Sequence, residues 1–105
     1  MSSFGINIFD LPRLPLKDEL TTVLAQSDNV RIERIISTGQ CSGWYDDAQS
    51  EFVLLLDGQA EIEYQNGDVI RLDKGGTVLI KPHEKHRVKS TTADPPCVWI
   101  CVFFD

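Results

Sequence analysis

Apolar and polar positions alternate with a period of two through much of this chain. Val30, Ile32, Arg34 and Ile36 alternate with Arg31, Glu33 and Ile35, which predicts a strand over residues 30–36. Further short strands are expected over Glu51–Leu56, Ala60–Tyr64, Val69–Leu72, Thr77–Ile80, His86–Lys89 and Cys97–Phe104. Turn signals separate them. Asp57-Gly58 and Asn66-Gly67 are hairpin dipeptides suited to a type I′ turn, which needs positive φ at both central residues. Lys74-Gly75-Gly76, Pro82 and the loop Thr91–Pro96 supply the remaining breaks. Short strands at this spacing indicate an all-β sandwich or barrel.

The N-terminal third reads less clearly. Asn7–Asp10 suggests a short edge strand, and Pro12 and Pro15 then bar regular structure. Asp18–Gln26 has the length of a helical turn, although Thr21, Thr22 and Val23 weaken a helix. Two later strands, Phe52–Leu56 and Val98–Phe104, are apolar on both faces. A strand with one wet face should alternate, so one face of each seeks a cover, either the N-terminal segment or a second subunit.

Composition narrows the function classes. At 105 residues the chain is long enough for a single domain and a single core. The net charge of −6 argues against nucleic acid, whose phosphates call for clustered Lys and Arg, and against an anionic membrane surface. No apolar run approaches the ~20 residues of a spanning helix. Residues 1–5 show neither a basic region nor a long apolar core, so a cytoplasmic location is expected. Cys41, Cys97 and Cys101 cannot all pair within one chain, and in a reducing compartment they are free thiols. Cys97 and Cys101 sit among apolar residues as small hydrophobes, without the second ligand pair that zinc requires.

The chemistry concentrates between Gly39 and His86. Gly39, Tyr45, Asp47, Glu51 and Gly58 form one spaced set, and Gly75, Lys81, His83, His86 and Ser90 form another. Their spacing resembles the two signature motifs of the cupin superfamily. The first runs Gly, five residues, His, one residue, His, three or four residues, Glu, six residues, Gly. The second runs Gly, five residues, Pro, one residue, Gly, two residues, His, three residues, Asn. Gly39, Glu51, Gly58, Gly75 and His86 fall in register, whereas Tyr45 and Asp47 stand where the family has histidines. Trp44-Tyr45-Asp46, the apolar run after Glu51 and residues 82–88 also resemble a group of small stand-alone cupins with no assigned reaction.

The resemblance implies a double-stranded β-helix, or jelly-roll barrel. It implies one domain over 1–105, with a core at about 30–104 and residues 1–29 packing on the barrel or at a dimer interface. It also implies a strand where Asp18–Gln26 lies, and a homodimer. Family barrels hold Fe, Mn, Zn or Ni on two histidines, a Glu and the second-motif His. Carried over, that ligand set is Tyr45, Asp47, Glu51 and His86. The chain has only two histidines, His83 and His86, so one subunit cannot build a three-histidine site.

Tyr45, Asp47 and Glu51 are separated by two and four residues, so in an extended strand all three share a face. Two carboxylates and one imidazole suit harder ions such as Mn²⁺ or Fe²⁺. The same groups also satisfy one another without a metal, as a Tyr45–Asp47 pair and a Glu51–His86 ion pair. His83 is either a donor that orients a carboxylate or an exposed turn residue. Three functions follow. The first is a metal-dependent small-molecule enzyme of dioxygenase, isomerase or lyase type. The second is a metal-free module that binds or senses a small polar metabolite. The third is a protein that acts by association through its apolar strands.

Overall fold

The computed structural model describes residues 5–105. Among them there is no helix, and thus none long and apolar enough to cross a membrane. Eight strands form: β1 (Leu20–Gln26), β2 (Val30–Ser37), β3 (Ser50–Asp57), β4 (Ala60–Tyr64), β5 (Val69–Leu72), β6 (Thr77–Ile80), β7 (His86–Thr91) and β8 (Cys97–Phe104). They make two antiparallel sheets, one ordered β1-β2-β8-β3-β6 and the other β5-β4-β7. The fold is the all-β double-stranded helix.

Period-two alternation sets the two faces of each strand. On β8, Cys97, Trp99, Cys101 and Phe103 point inward, opposite Val53 and Leu55 of β3. Ala60 and Ile62 of β4, Leu72 of β5 and Ile80 of β6 close the core from the other side. The buried Trp99 indole donates to Ser37 Oγ at 3.1 Å, so its one polar atom is satisfied.

Four sequence expectations are corrected. Asp57-Gly58 does not join a hairpin, because β3 and β4 lie in different sheets. The dipeptide is a corner. Gly58 has φ +85°, and an added Cβ would sit 2.7 Å from Cys97 Sγ and 2.8 Å from Pro96 O. Neither dipeptide forms a type I′ turn, since Gly58 and Gly67 have positive φ but Asp57 and Asn66 do not. Asn66-Gly67 still joins a true hairpin, β4 to β5. Asp18–Gln26 holds no helical turn; from Leu20 it is β1, where β-branched Thr21, Thr22 and Val23 suit a strand paired to β2. Asn7–Asp10 is a turn, because the Asn7 side chain accepts the Phe9 N–H at 2.8 Å and competes with strand pairing.

The N-terminal segment lies on the outer face of the larger sheet. Arg34, only 7% exposed, donates from Nη1 to the carbonyls of Ile8 and Asp10 at 3.2 and 3.0 Å. Its Nε is buried without a partner among the described residues. Ile36 and Val98 on the same outward face are fully buried. Farther along that face Phe52 and Leu79 stay 39% and 49% exposed, so the sheet is covered in part.

Candidate functional site

Between the two sheets lies a cavity of about 290 Å³, lined by Tyr45, Asp47, Glu51 and His86 together with Val53, Ile62, Ile80, Trp99, Cys101 and Phe103. All four residues singled out as candidate ligands therefore line one space. They reach it by another route than a shared strand face. Tyr45 makes an isolated bridge to His86, residues 46–49 are irregular, and β3 begins at Ser50. Backbone bonds hold the first two: Tyr45 N–H donates to His86 O at 2.7 Å, and His83 N–H donates to Asp47 O at 2.7 Å. Glu51 arrives from the opposite sheet on β3.

Glu51 and His86 form the buried end, 9% and 4% exposed. His86 Nε2 lies 3.6 Å from Glu51 Oε1, longer than a normal hydrogen bond. His86 Nδ1 lies 2.8 Å from the Glu84 carbonyl, which can only accept, so Nδ1 carries the proton and Nε2 faces the cavity. The Tyr45 and Tyr64 rings flank the imidazole at 5.6 and 6.4 Å. Burial disfavours the imidazolium most strongly. The Glu51 carboxylate, the Glu84 carbonyl and the Asp47 charge together outweigh it, and the His86 pKa rises above its ordinary value. Burial and the charge of Glu19, followed by those of Glu51 and Asp47, push the Tyr45 phenol up despite a Ser42 hydrogen bond that lowers it, so it remains a donor. Burial, reinforced by Glu51, also raises the Cys101 thiol and keeps it protonated.

A resident metal needs several donors around one point. Among the described residues no three His, Cys, Asp or Glu side chains gather closely enough to hold an ion. Glu51 and His86 converge as a pair only, and the side chains in this arrangement do not fit a three-donor centre. His83 stands outside the cavity, its side chain 69% exposed and 2.8 Å from Asp46 Oδ1. It has φ 62°, a left-handed conformation that glycine adopts at no steric cost.

The sequence reading missed the wall contributed by Glu19, β1 and β2. Glu19, Thr21, Arg31 and Glu33 line the same cavity. Arg31 Nε donates to Glu33 Oε2 at 2.9 Å, and its guanidinium lies 4.3 Å above the Phe103 ring. The signal was the β2 alternation itself, because Arg31 and Glu33 share a face with Ile35, opposite Phe103, Cys101 and Trp99 of β8. Charged residues on a strand are usually taken for its solvent face.

The profile of the family described as "Cupin domain" matches residues 33–103. No curated protein is significantly similar in sequence. A solved structure from Ralstonia eutropha JMP134, provisionally described as a mannose-6-phosphate isomerase, is 33% identical with a TM-score of 0.91, covering 98% of this chain and 99% of that one. A cupin superfamily protein from Desulfitobacterium hafniense DCB-2 is 19% identical with a TM-score of 0.78, over 89% and 83% of the two chains. A double-stranded β-helix protein from Klebsiella pneumoniae is 17% identical with a TM-score of 0.80, over 94% and 82%.

Proposed function

The chain belongs to the cupin domain family, and from that premise we propose that it binds a small polar molecule inside the barrel, with Glu51 and His86 as the groups that hold it. The observation that carries this reading is the buried end of the cavity. Glu51 and His86 face the cavity of about 290 Å³ from its buried end, and they leave each other 3.6 Å apart. Buried polar groups ordinarily find hydrogen-bond partners, so a ligand with a donor for Glu51 completes the site. A protein acting only by association would have no use for this opening and would fill it with side chains. Tyr45, as a protonated phenol near the mouth, offers a further donor.

Acid–base chemistry is within the pair's reach, with Glu51 accepting a proton and His86 donating one. The isomerase description of the Ralstonia eutropha protein supports looking for such activity, without naming a substrate here. A divalent cation, Mn, Fe, Zn or Ni, is the second reading. The tautomer favours it, since Nδ1–H is donated to a backbone carbonyl and Nε2 is left free, as in many histidine ligands. The number of converging donors opposes it. We extend the proposal to a homodimer formed through the partly exposed outer face that carries Phe52 and Leu79.

The test is a thermal-shift screen of metabolites on untagged protein, beside Glu51→Ala and His86→Ala, with elemental analysis of all three. Stabilisation of the wild type that both variants lose supports the leading reading, because a ligand of the folded state raises its stability. Near-stoichiometric metal in the wild type that both variants lose would favour the second reading. Stabilisation that persists in both variants would overturn the assignment of the site.

A further inference from the structure

We infer that the molecule this cavity takes is a small organic cation, an ammonium or amidinium compound, and not a phosphate ester or a carboxylate. The inference rests on the reading of the barrel interior as a ligand site and names the chemistry of its occupant.

Charge is the first ground. Four carboxylates line the cavity, those of Glu19, Glu33, Asp47 and Glu51, and no lysine does. The only arginine, Arg31, is already committed to Glu33 at 2.9 Å and to the Phe103 ring. Even with His86 protonated, four negative groups face two positive ones. Glu19 and Asp47 have no ion-pair partner among the described residues, whereas Glu33 and Glu51 do. An entering anion meets net repulsion, and an entering cation meets two carboxylates that no cation yet balances, although Glu19 also accepts from the Ser37 hydroxyl at 3.4 Å.

Hydrogen-bond chemistry gives the second ground. Glu51 is 9% exposed and faces the cavity. Among the described residues the groups near its carboxylate are His86 Nε2, which carries no proton in the neutral ring and lies 3.6 Å away, and the Cys101 thiol, a weak donor. What it lacks is an N–H or O–H donor within hydrogen-bond distance. An ammonium or amidinium supplies N–H donors, while a phosphate or carboxylate brings further acceptors to an acceptor.

The walls give the third ground. Trp99, Phe103 and Tyr45 line the same space, and aromatic faces attract cations through the ring quadrupole. The wall already holds one cation this way, since Arg31 rests between a carboxylate and the Phe103 face. The arrangement differs from what a sugar phosphate calls for, although that is the substrate type in the description of the Ralstonia eutropha protein.

The experiment is calorimetric titration of the full chain with two matched series. One is choline, its uncharged isostere 3,3-dimethylbutan-1-ol, and the anion 3,3-dimethylbutanoate. The other is glucosamine, glucose and glucose 6-phosphate. The expected result is that the cationic member of at least one series binds about tenfold tighter than its neutral counterpart, with the anion weakest. Glu19→Gln and Asp47→Asn, which keep shape and remove charge, are each expected to cut the preference for cation over neutral about threefold. Tightest binding by an anionic member, or equal binding of cation and neutral, overturns the inference and leaves the ligand-site reading intact. Binding by none of the six also overturns it, while the metabolite screen with Glu51→Ala and His86→Ala judges the site separately.

Discussion

Burial and charge pull the His86 imidazole in opposite directions, and the carboxylate side wins. The sign of the resulting pH dependence follows from linkage. A folded pKa above the unfolded value near 6.5 means that the folded state binds this proton more tightly. The stabilisation is fully present below pH 6.5 and is lost as pH rises through the folded value. The stability gap between wild type and His86→Gln in urea unfolding should therefore be widest near pH 6 and narrow as pH rises. A gap that widens with pH would show that burial, not Glu51, governs the residue. At this scale the spacing of Gly39, Glu51, Gly58, Gly75 and His86 made the pair legible. Arg31 and Glu33 escaped notice because nothing local distinguishes a charged strand face that meets solvent from one that meets a cavity.

At the scale of elements, Arg34 of β2 holds the turn at residues 7–10 against the sheet. Arg34 carries a buried charge whose hydrogen-bond partners are backbone carbonyls of Ile8 and Asp10, with a longer approach to Asn7 at 3.5 Å. Arg34→Met keeps the apolar stem and removes the bonds. It should lower unfolding free energy by about 1.5–3 kcal/mol, the range for hydrogen bonds to a charged group. Exchange of the Asp10 amide, which donates to Asn7 O at 3.0 Å, should accelerate more than exchange in β8. Equal acceleration in both would mean that Arg34 supports the sheet and not the segment. Strands β2–β8 were readable from short β-prone runs between turn signals, but β1 was not, nor was Asp57-Gly58 readable as a corner. The same dipeptide serves a hairpin or a change of sheet, and the choice depends on which strand is available to pair.

For the whole molecule, the proposed dimer makes a separable prediction. Phe52 and Leu79 are adjacent in the β3–β6 register and both partly exposed on the outer face. Phe52→Glu should convert a dimer to a monomer in sedimentation equilibrium, because a buried unpaired carboxylate is costly at an apolar interface. Ligand binding should survive, since Phe52 points away from the cavity. A wild type that sediments as a monomer at all concentrations would overturn the dimer.

The sequence by itself determined strands β2–β8 and the all-β class, and its motif spacing singled out Glu51 and His86 as candidate site residues. Alternation and motif spacing are local properties that a chain carries into any context. Only the tertiary structure decided that β3 turns away from β4, that Glu19 ahead of β1 joins Arg31 and Glu33 of β2 at the cavity, and that Arg34 lies under the N-terminal segment. Those outcomes depend on which sheet each strand joins and which face is covered. Such choices are made by packing between residues far apart in the chain.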